Sequence, residues 1–347
     1  MRLSPLLAAS VAALYLAGCP SAPTPEPAVP SRATLPPRPD AVTCAPFDGE
    51  FAATLADTGC LPDGAAAPDL VPYTVRSPLW TDGALKRRWL TVPPGETIGF
   101  SPSGAWDFPI GSLLIKQFLA TPDEPIETRF MRWDGADWQF ATYRHDGGDA
   151  VLLTDSAWGE VTLGGEPVPW YFPGVDGCAT CHLGGALGPV AAQLDTEYDY
   201  DGAVRSQLEE MARVGLLDTP SPQAAQPLVR PEDAAAPLQD RARSWLHANC
   251  AHCHRPDGWT PPEMTMDLRY TTPLPDARLC GEPVQFDQAP DAGAYRLAPG
   301  DSGDSAIWGR IVDSMTPMPP VGTLVLDPLA EDTVRAWIDS APDCQSP

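Results

Sequence analysis

Two short segments of the form Cys-x-x-Cys-His constrain the fold of this chain more than any other feature. They are Cys178-Ala179-Thr180-Cys181-His182 and Cys250-Ala251-His252-Cys253-His254. Two thiols separated by two residues lie on one helical turn, where both can bond to the vinyl groups of a porphyrin. The histidine that follows then lies under the iron as an axial ligand. The pattern predicts two covalently bound haem c groups.

Paired cysteines also suit a zinc site or a dithiol redox motif. Zinc ribbons usually separate their pairs by about 15–20 residues, whereas 68 residues lie between Cys181 and Cys250. A dithiol pair needs no histidine after it, and here each pair has one. Both comparisons favour haem. His252, inside the second segment, is interpreted as a bystander, because the iron-facing position belongs to His254.

The N-terminus has the pattern of a bacterial export signal. Arg2 supplies positive charge, and the apolar stretch from Leu6 to Leu16 is too short for a membrane-spanning helix. It ends in Leu16-Ala17-Gly18-Cys19, which resembles a lipobox in which Cys19 is diacylated; an ordinary signal peptide containing a cysteine is the alternative. We expect a signal peptide at 1–18, a Pro-rich tether at 19–43, and a protein in the periplasm or at the cell surface, lipid-anchored to a bacterial membrane.

Four of the nine cysteines remain after the two segments and Cys19 are assigned. An even number of thiols in an oxidising compartment predicts disulfides, and four thiols allow three pairings. Proximity in sequence favours Cys44 with Cys60, which leaves Cys280 with Cys344.

The formal charge of −24 and the pI near 4.3 argue against nucleic acid as a partner. An acidic surface suits basic redox partner proteins, or simply keeps the protein soluble. The 43 prolines predict short elements and many loops.

Residues 44–169 have the pattern of an antiparallel β domain, a sandwich or a partial barrel. Apolar and polar residues alternate in short runs, separated by breakers such as Pro93-Pro94-Gly95 and Gly147-Gly148. The expected strands are Val71–Arg76, Arg87–Val92, Thr97–Phe100, Ser112–Leu119, Ile126–Trp133, Trp138–Arg144 and Ala150–Thr154.

The period becomes helical near residue 170. Helices are expected over Ala203–Leu217, Ala234–Ala248 and Asp332–Ser340, and none before Cys178. The predicted fold class is therefore α+β and multidomain. The β domain is followed by a first haem segment at 170–231 and an all-α region at 232–347.

Residues 232–347 resemble a class I cytochrome c domain. An amphipathic helix leads to Cys250, a long loop follows, and Met315-Thr316-Pro317-Met318-Pro319-Pro320 precedes a closing helix with Trp337. The spacing and the flanking prolines favour Met318 as second axial ligand to the His254 iron, with Met315 as second choice. A methionine that only fills a gap in the core is the alternative. Ligation by His and Met raises the reduction potential and leaves no position for a substrate.

The first haem has no evident second ligand in the sequence. Met211 shares a helical face with Val204 and Leu208, so an ordinary core position is favoured. Five other residues are candidates without distinction: Met131, His145, His247, Met264 and Met266. An iron with an open position would be accessible to peroxide or oxygen.

One basic island interrupts the acidic chain. It consists of Lys86-Arg87-Arg88 with Lys116 and Arg129 on later strands. These cations suit haem propionates or another anion, and a solvated strand carrying charges is the alternative.

Several blocks, in their order, resemble an uncharacterised family of bacterial dihaem c-type cytochromes. The blocks are Ser77-Pro78-Leu79-Trp80-Thr81-Asp82-Gly83-Ala84 with Lys86 and Arg88, Phe108-Pro109-Ile110-Gly111 with Lys116, Glu127-Thr128-Arg129, and Asn249-Cys250-Ala251-His252-Cys253-His254. The resemblance covers most of the chain from about residue 44. It implies a β-rich module followed by two haem sites, with Cys178, Cys181, His182, Cys250, Cys253 and His254 as haem-binding residues. It implies no substrate.

Two functions from different classes fit these patterns. The first is electron transfer by a tethered dihaem cytochrome. The alternative is a peroxidase-like dihaem enzyme, in which the second haem feeds electrons to an open first haem. A weaker third hypothesis makes the β domain a binding module for a partner or a glycan.

Overall fold

The computed structural model describes residues 34–44, 49–182, 185–256, 258–261, 265–285, 293–320 and 322–345. It combines antiparallel sheets with helices in a mixed α+β fold. The predicted signal peptide at 1–18, the predicted lipidation site Cys19 and Met264 lie outside these ranges. Within the described ranges, no helix is long and apolar enough to cross a membrane.

A six-stranded antiparallel sheet forms the first part of the fold, and each strand pairs with the next along the chain. Alternate side chains of its strands face opposite sides, and both faces carry buried cores. The strands are β1 (Val71–Pro72), β2 (Leu85–Thr91), β3 (Leu113–Thr121), β4 (Glu124–Trp133), β5 (Trp138–Arg144) and β6 (Val151–Leu152).

The strand predictions hold best at the centre of this sheet. The four central strands are confirmed with bounds that move by at most two residues, and the predictions at Val71–Arg76 and Ala150–Thr154 shorten to two residues each. The prediction of a strand over Thr97–Phe100 is wrong. Ile98 and Gly99 form only isolated bridges, to Leu217 and Asp107.

A separate hairpin covers one end of a sheet face. It consists of β7 (Ala157–Leu163) and β8 (Glu166–Phe172), joined by a turn at Gly164-Gly165, where both residues have positive φ. Trp170 and Phe172 of β8 pack with Phe118 of β3 in one buried cluster. Strand β8 therefore runs through residue 170, at which the sequence period predicts the change to helices.

The segment after β8 begins with α1 (Val175–His182) and α2 (Ala191–Leu194). A second hairpin follows, formed by β9 (Glu197–Tyr200) and β10 (Ala203–Ser206), and it leads into α3 (Gln207–Arg213). The expected helix over Ala203–Leu217 is therefore wrong in its first four residues, and also in its last four, because α3 ends at Arg213. The Asp201-Gly202 turn, with both φ values positive, closes a hairpin instead.

The C-terminal region is built from short helices around one core. These are α4 (Leu238–Cys250), α5 (Ala306–Val312), α6 (Pro328–Ala330), a π-helical turn (Glu331–Arg335) and α7 (Ala336–Asp339). The core includes Trp245, Val334 and Trp337. Helix α4 begins four residues later than expected, after Pro237, whose extended backbone cannot belong to the helix.

Two disulfides staple the ends of the fold. The structure joins Cys44 to Cys60 and Cys280 to Cys344, the pairing favoured by sequence proximity. The first bridge lies in the core beneath the sheet, with Trp89 and Ile115. The second adjoins the C-terminal core.

Candidate functional site

A cavity of about 410 Å³ lies over the middle of one sheet face. Leu114, Lys116 and Phe118 of β3 point to this face, while Leu113 and Ile115 point into the core on the other side. Leu114 belongs to the core at one end of the face, and Phe118 lies under the β7–β8 hairpin at the other. The space between them is closed over by α1 and by residues of the C-terminal region.

Three cations form a row across the floor of this cavity. Arg88, Lys116 and Arg129 are directly opposite one another on β2, β3 and β4, and all three line the cavity. Like charges in register repel, so an anion in the cavity would be stabilised there. The other members of the basic island do not line it: Lys86 donates to the carbonyl of Ala84, and Arg87 to that of Pro122.

Glu127 supplies a negative charge next to this row. Its side chain is fully buried and forms an ion pair with Arg129. Burial raises the pKa of this carboxyl, and the charge of Arg129 opposes that rise. Glu127 thus partly balances the charge of Arg129.

Helix α1 brings the first Cys-x-x-Cys-His segment to the cavity wall. Cys178, Cys181 and His182 all line it. The sequence predicts no helix before Cys178, and this is wrong, because α1 begins three residues earlier at Val175. Thr142 of β5 lies beside Cys178, so α1 is held against the sheet.

The imidazole of His182 is held in a defined orientation. Its Nδ1 lies 3.2 Å from the carbonyl oxygen of Gly185, and its ring packs on Phe140 at 5.8 Å between centroids. If Nδ1–H donates to this carbonyl, Nε2 keeps its lone pair for a metal. Burial lowers the pKa of His182 to about 4, so the ring is neutral at pH 7, as ligation requires.

The second segment follows directly on α4. Cys250 is the last residue of that helix, and the amide of His254 donates to its carbonyl at 2.9 Å. Burial raises the pKa of the Cys250 thiol to about 12 and lowers that of His254 to about 4. Within the described ranges, Nδ1 of His254 is buried without a hydrogen-bond partner.

The two segments meet in space although 68 residues separate them. Burial raises the pKa of Cys253 to about 11, and the nearby Cys181 contributes to that rise. The charge of Lys116 contributes to lowering the pKa of both His182 and His252. His252 also lines the same cavity as His182. All four thiols of the segments are free, whereas the other four described cysteines form disulfides. Across the described residues, no three His, Cys, Asp or Glu side chains cluster as a metal site.

The proline-flanked loop with Met318 lies between the cavity and the second segment. The amide of Met318 donates to the carbonyl of Arg310 at 2.9 Å. The charge of Arg310 helps to lower the pKa of His254, so this loop is near the second segment. Pro317 and Pro319 line the cavity on the His182 side, but Met318 does not. Met315, the second choice for this role, is 85 % exposed.

The other candidate ligands differ in where they lie. Met211 is fully buried in the core with Leu208, as expected. His145 Nε2 lies 3.0 Å from the Thr128 hydroxyl, and His247 Nδ1 accepts the Tyr270 amide. Met266 packs at the edge of the C-terminal core, and Met131 lines the cavity.

A set of hydrogen bonds joins the loop between β1 and β2 to the C-terminal region. The Trp80 amide donates to Asn249 Oδ1 and its indole donates to the Val325 carbonyl, both at 2.7 Å. Asp82 accepts the Val325 amide at 2.7 Å, and the Ser77 hydroxyl donates to the Ser244 carbonyl at 2.9 Å. Reasoning from the residues alone missed this junction, although the Ser77–Ala84 block contains its donors and acceptors.

Comparisons of the chain with protein-family models, curated proteins and solved structures give no match. The resemblance to dihaem cytochromes therefore stays a prediction.

Proposed function

We propose that this protein is a dihaem c-type cytochrome that transfers electrons outside the cytoplasm of a bacterium, tethered to a membrane by a lipid on Cys19. The observation that carries the proposal is the state of the eight cysteines outside the signal segment. Four pair as disulfides, while the four of the Cys-x-x-Cys-His segments stay free. Cys178 and Cys181 line the cavity, and Cys253 of the second segment is near Cys181. Thioether attachment needs such free thiols.

The cavity residues fit a haem at the first segment. Cys178 and Cys181 would form the thioether bonds, and His182 would be the axial ligand. The row of Arg88, Lys116 and Arg129 supplies positive charge for the two propionates. A volume of about 410 Å³ falls in the range of cofactor pockets.

The second segment fits a haem in a region that we take to be of the class I cytochrome c type, residues 232–347. Cys250 and Cys253 would attach the haem, His254 would ligate the iron, and Met318 would be the second ligand. The Met318 loop supports this assignment, because Met318 bonds to Arg310, whose charge lowers the pKa of the nearby His254.

When bound, the two haems would supply one-electron redox couples, which is the chemistry that transfer between a donor protein and an acceptor needs. The chain's part is to hold the two sites close together, as the proximity of Cys181 and Cys253 indicates. Its net charge of −24 would attract basic redox partners.

The test is to count covalent haems. The full chain, produced with a cytochrome c maturation system, should carry two haems by mass spectrometry under denaturing conditions. C181A and C253A should each lose one, whereas the matched control C44A/C60A, which removes two cysteines from a disulfide, should keep both. A wild-type chain without covalent haem contradicts the proposal. A high-spin haem that reacts with peroxide would replace electron transfer by the peroxidase-like alternative.

A further inference from the structure

We propose that His252 is the second axial ligand of the haem held by Cys178, Cys181 and His182. The inference rests on the proposed function, because it assigns a ligand to a haem that the proposal places in the cavity. It changes the role of His252 from a bystander of the second segment to a working part of the first site.

The position of His252 is the main argument. c-type haem iron is ligated by imidazole and thioether side chains. In the described part of the chain, two such side chains line the cavity together with His182, namely His252 and Met131. Two axial ligands of one iron must approach it from opposite sides of the haem plane.

His182 and His252 reach the cavity from different parts of the fold. His182 ends α1 and packs on Phe140 of β5, so it belongs to the wall formed by the sheet. His252 follows α4 and lines the cavity with Ala248 and with the proline loop from Pro317, so it belongs to the C-terminal wall. This placement suits a pair of ligands with a flat cofactor between them.

Met131 does not meet this requirement. It is directly opposite Phe140 in the β4–β5 register, so both side chains lie on the same sheet face. Phe140 is the ring against which His182 packs. Met131 is therefore on the same wall as His182, where a second ligand is not needed.

This ligand would have two consequences for function. It would fill the open position at the first iron, so that peroxide or oxygen could not bind there. Two histidines would also leave the first haem at a lower potential than the second, because methionine ligation raises the potential. Electrons would then pass from the first site to the second.

The experiment uses the purified full-length holoprotein and three variants, H252A, H252M and M131L. In the wild type we expect two low-spin haems by EPR, one with a histidine–histidine and one with a histidine–methionine near-infrared magnetic circular dichroism band, and no carbon monoxide binding. H252A should keep two covalent haems but lose the histidine–histidine band. One haem should become high-spin and bind carbon monoxide, and added imidazole should restore its low-spin spectrum. H252M should raise one of the two reduction potentials.

The control variant and the haem count separate the possible failures. M131L should leave both spectra unchanged. The inference is overturned if H252A keeps both low-spin bands, or if M131L rather than H252A produces the high-spin haem. If H252A does not accumulate, an unchanged pair of potentials in H252M overturns it. A wild-type chain without covalent haem overturns the proposed function as well, whereas two haems with an unaffected H252A overturn only the role of His252.

Discussion

Asn249 joins the two halves of the fold from a position next to the second Cys-x-x-Cys-His segment. Its side chain is fully buried in α4, one residue before Cys250. Its Oδ1 accepts the Trp80 amide at 2.7 Å, and its Nδ2 donates to the Trp245 carbonyl at 2.9 Å. We predict that N249A weakens the attachment of the C-terminal region to the β sheet without removing a haem.

The expected cost follows from these two bonds. Removing Oδ1 leaves the partly buried Trp80 amide without its acceptor, which costs about 1–3 kcal/mol, and losing the bond to Trp245 costs about 1 kcal/mol. The sum is roughly 2–4 kcal/mol. With a urea dependence of about 2 kcal/mol per molar, the midpoint of the transition that exposes Trp80 should fall by about 1–2 M.

Urea unfolding followed by tryptophan fluorescence measures this change, and mass spectrometry counts the haems. Q239A is a matched control on the same helix, because Gln239 of α4 is only partly buried. Q239A should change the free energy of unfolding by no more than about 0.5 kcal/mol, which is a midpoint shift of about 0.25 M. If N249A unfolds at the wild-type midpoint, the two bonds do not hold the halves together. If N249A loses a haem, Asn249 is needed for covalent attachment of the haem rather than for the junction between the two halves of the fold.

Two further predictions concern single side chains of the C-terminal region. M318L should retain two covalent haems but lower the potential of one haem and abolish its histidine–methionine band, because the thioether that raises the potential is gone; an unchanged band would refute Met318 as a ligand. Burial lowers the pKa of His247 to about 4 from an ordinary 6.5. Between pH 6.5 and pH 4 the unfolded state therefore binds one proton more than the folded state, and the free energy of unfolding falls as the pH drops. Between pH 6.5 and 4, H247Q should lose less unfolding free energy than the wild type, by up to about 3 kcal/mol. Urea unfolding at several pH values measures this difference, and the same pH profile in both proteins would contradict the prediction.

The sheet was predictable where alternation is strong and unbroken. Strand β5 has the predicted bounds because apolar and polar residues alternate along it, from Trp138 to Arg144. Strand β8 escaped prediction, since Pro167 and Pro169 are atypical of strands and are tolerated only where no neighbour needs their amide. A two-stranded hairpin has such an open side. The prediction of a helix over residues 203–206 was wrong because Val204 fits an apolar helical face in the sequence, whereas it is exposed in β10.

The site, too, was predictable only where its residues are neighbours in the sequence. The Cys-x-x-Cys-His segments are local, so the sequence shows them directly. The cation row is not local, because it depends on the register that sets Arg88 opposite Lys116 and Lys116 opposite Arg129. No spacing along the chain could reveal that His252 lines the cavity of the other segment. It depends on how the fold joins α4 to the loop between β1 and β2, as in the hydrogen bond from Trp80 to Asn249.

The charge distribution gives a physical reason for this arrangement. The chain has 46 acidic residues and 22 lysines and arginines, yet three of these cations lie side by side on one face of the sheet. Such a row has a cost, because like charges repel and each loses water. The cost is offset if a dianionic cofactor lies against the row. The row would then favour the orientation of haem in which its propionates face β2, β3 and β4. The propionates would thereby bring negative charge to the stretch of the sheet where three cations lie side by side.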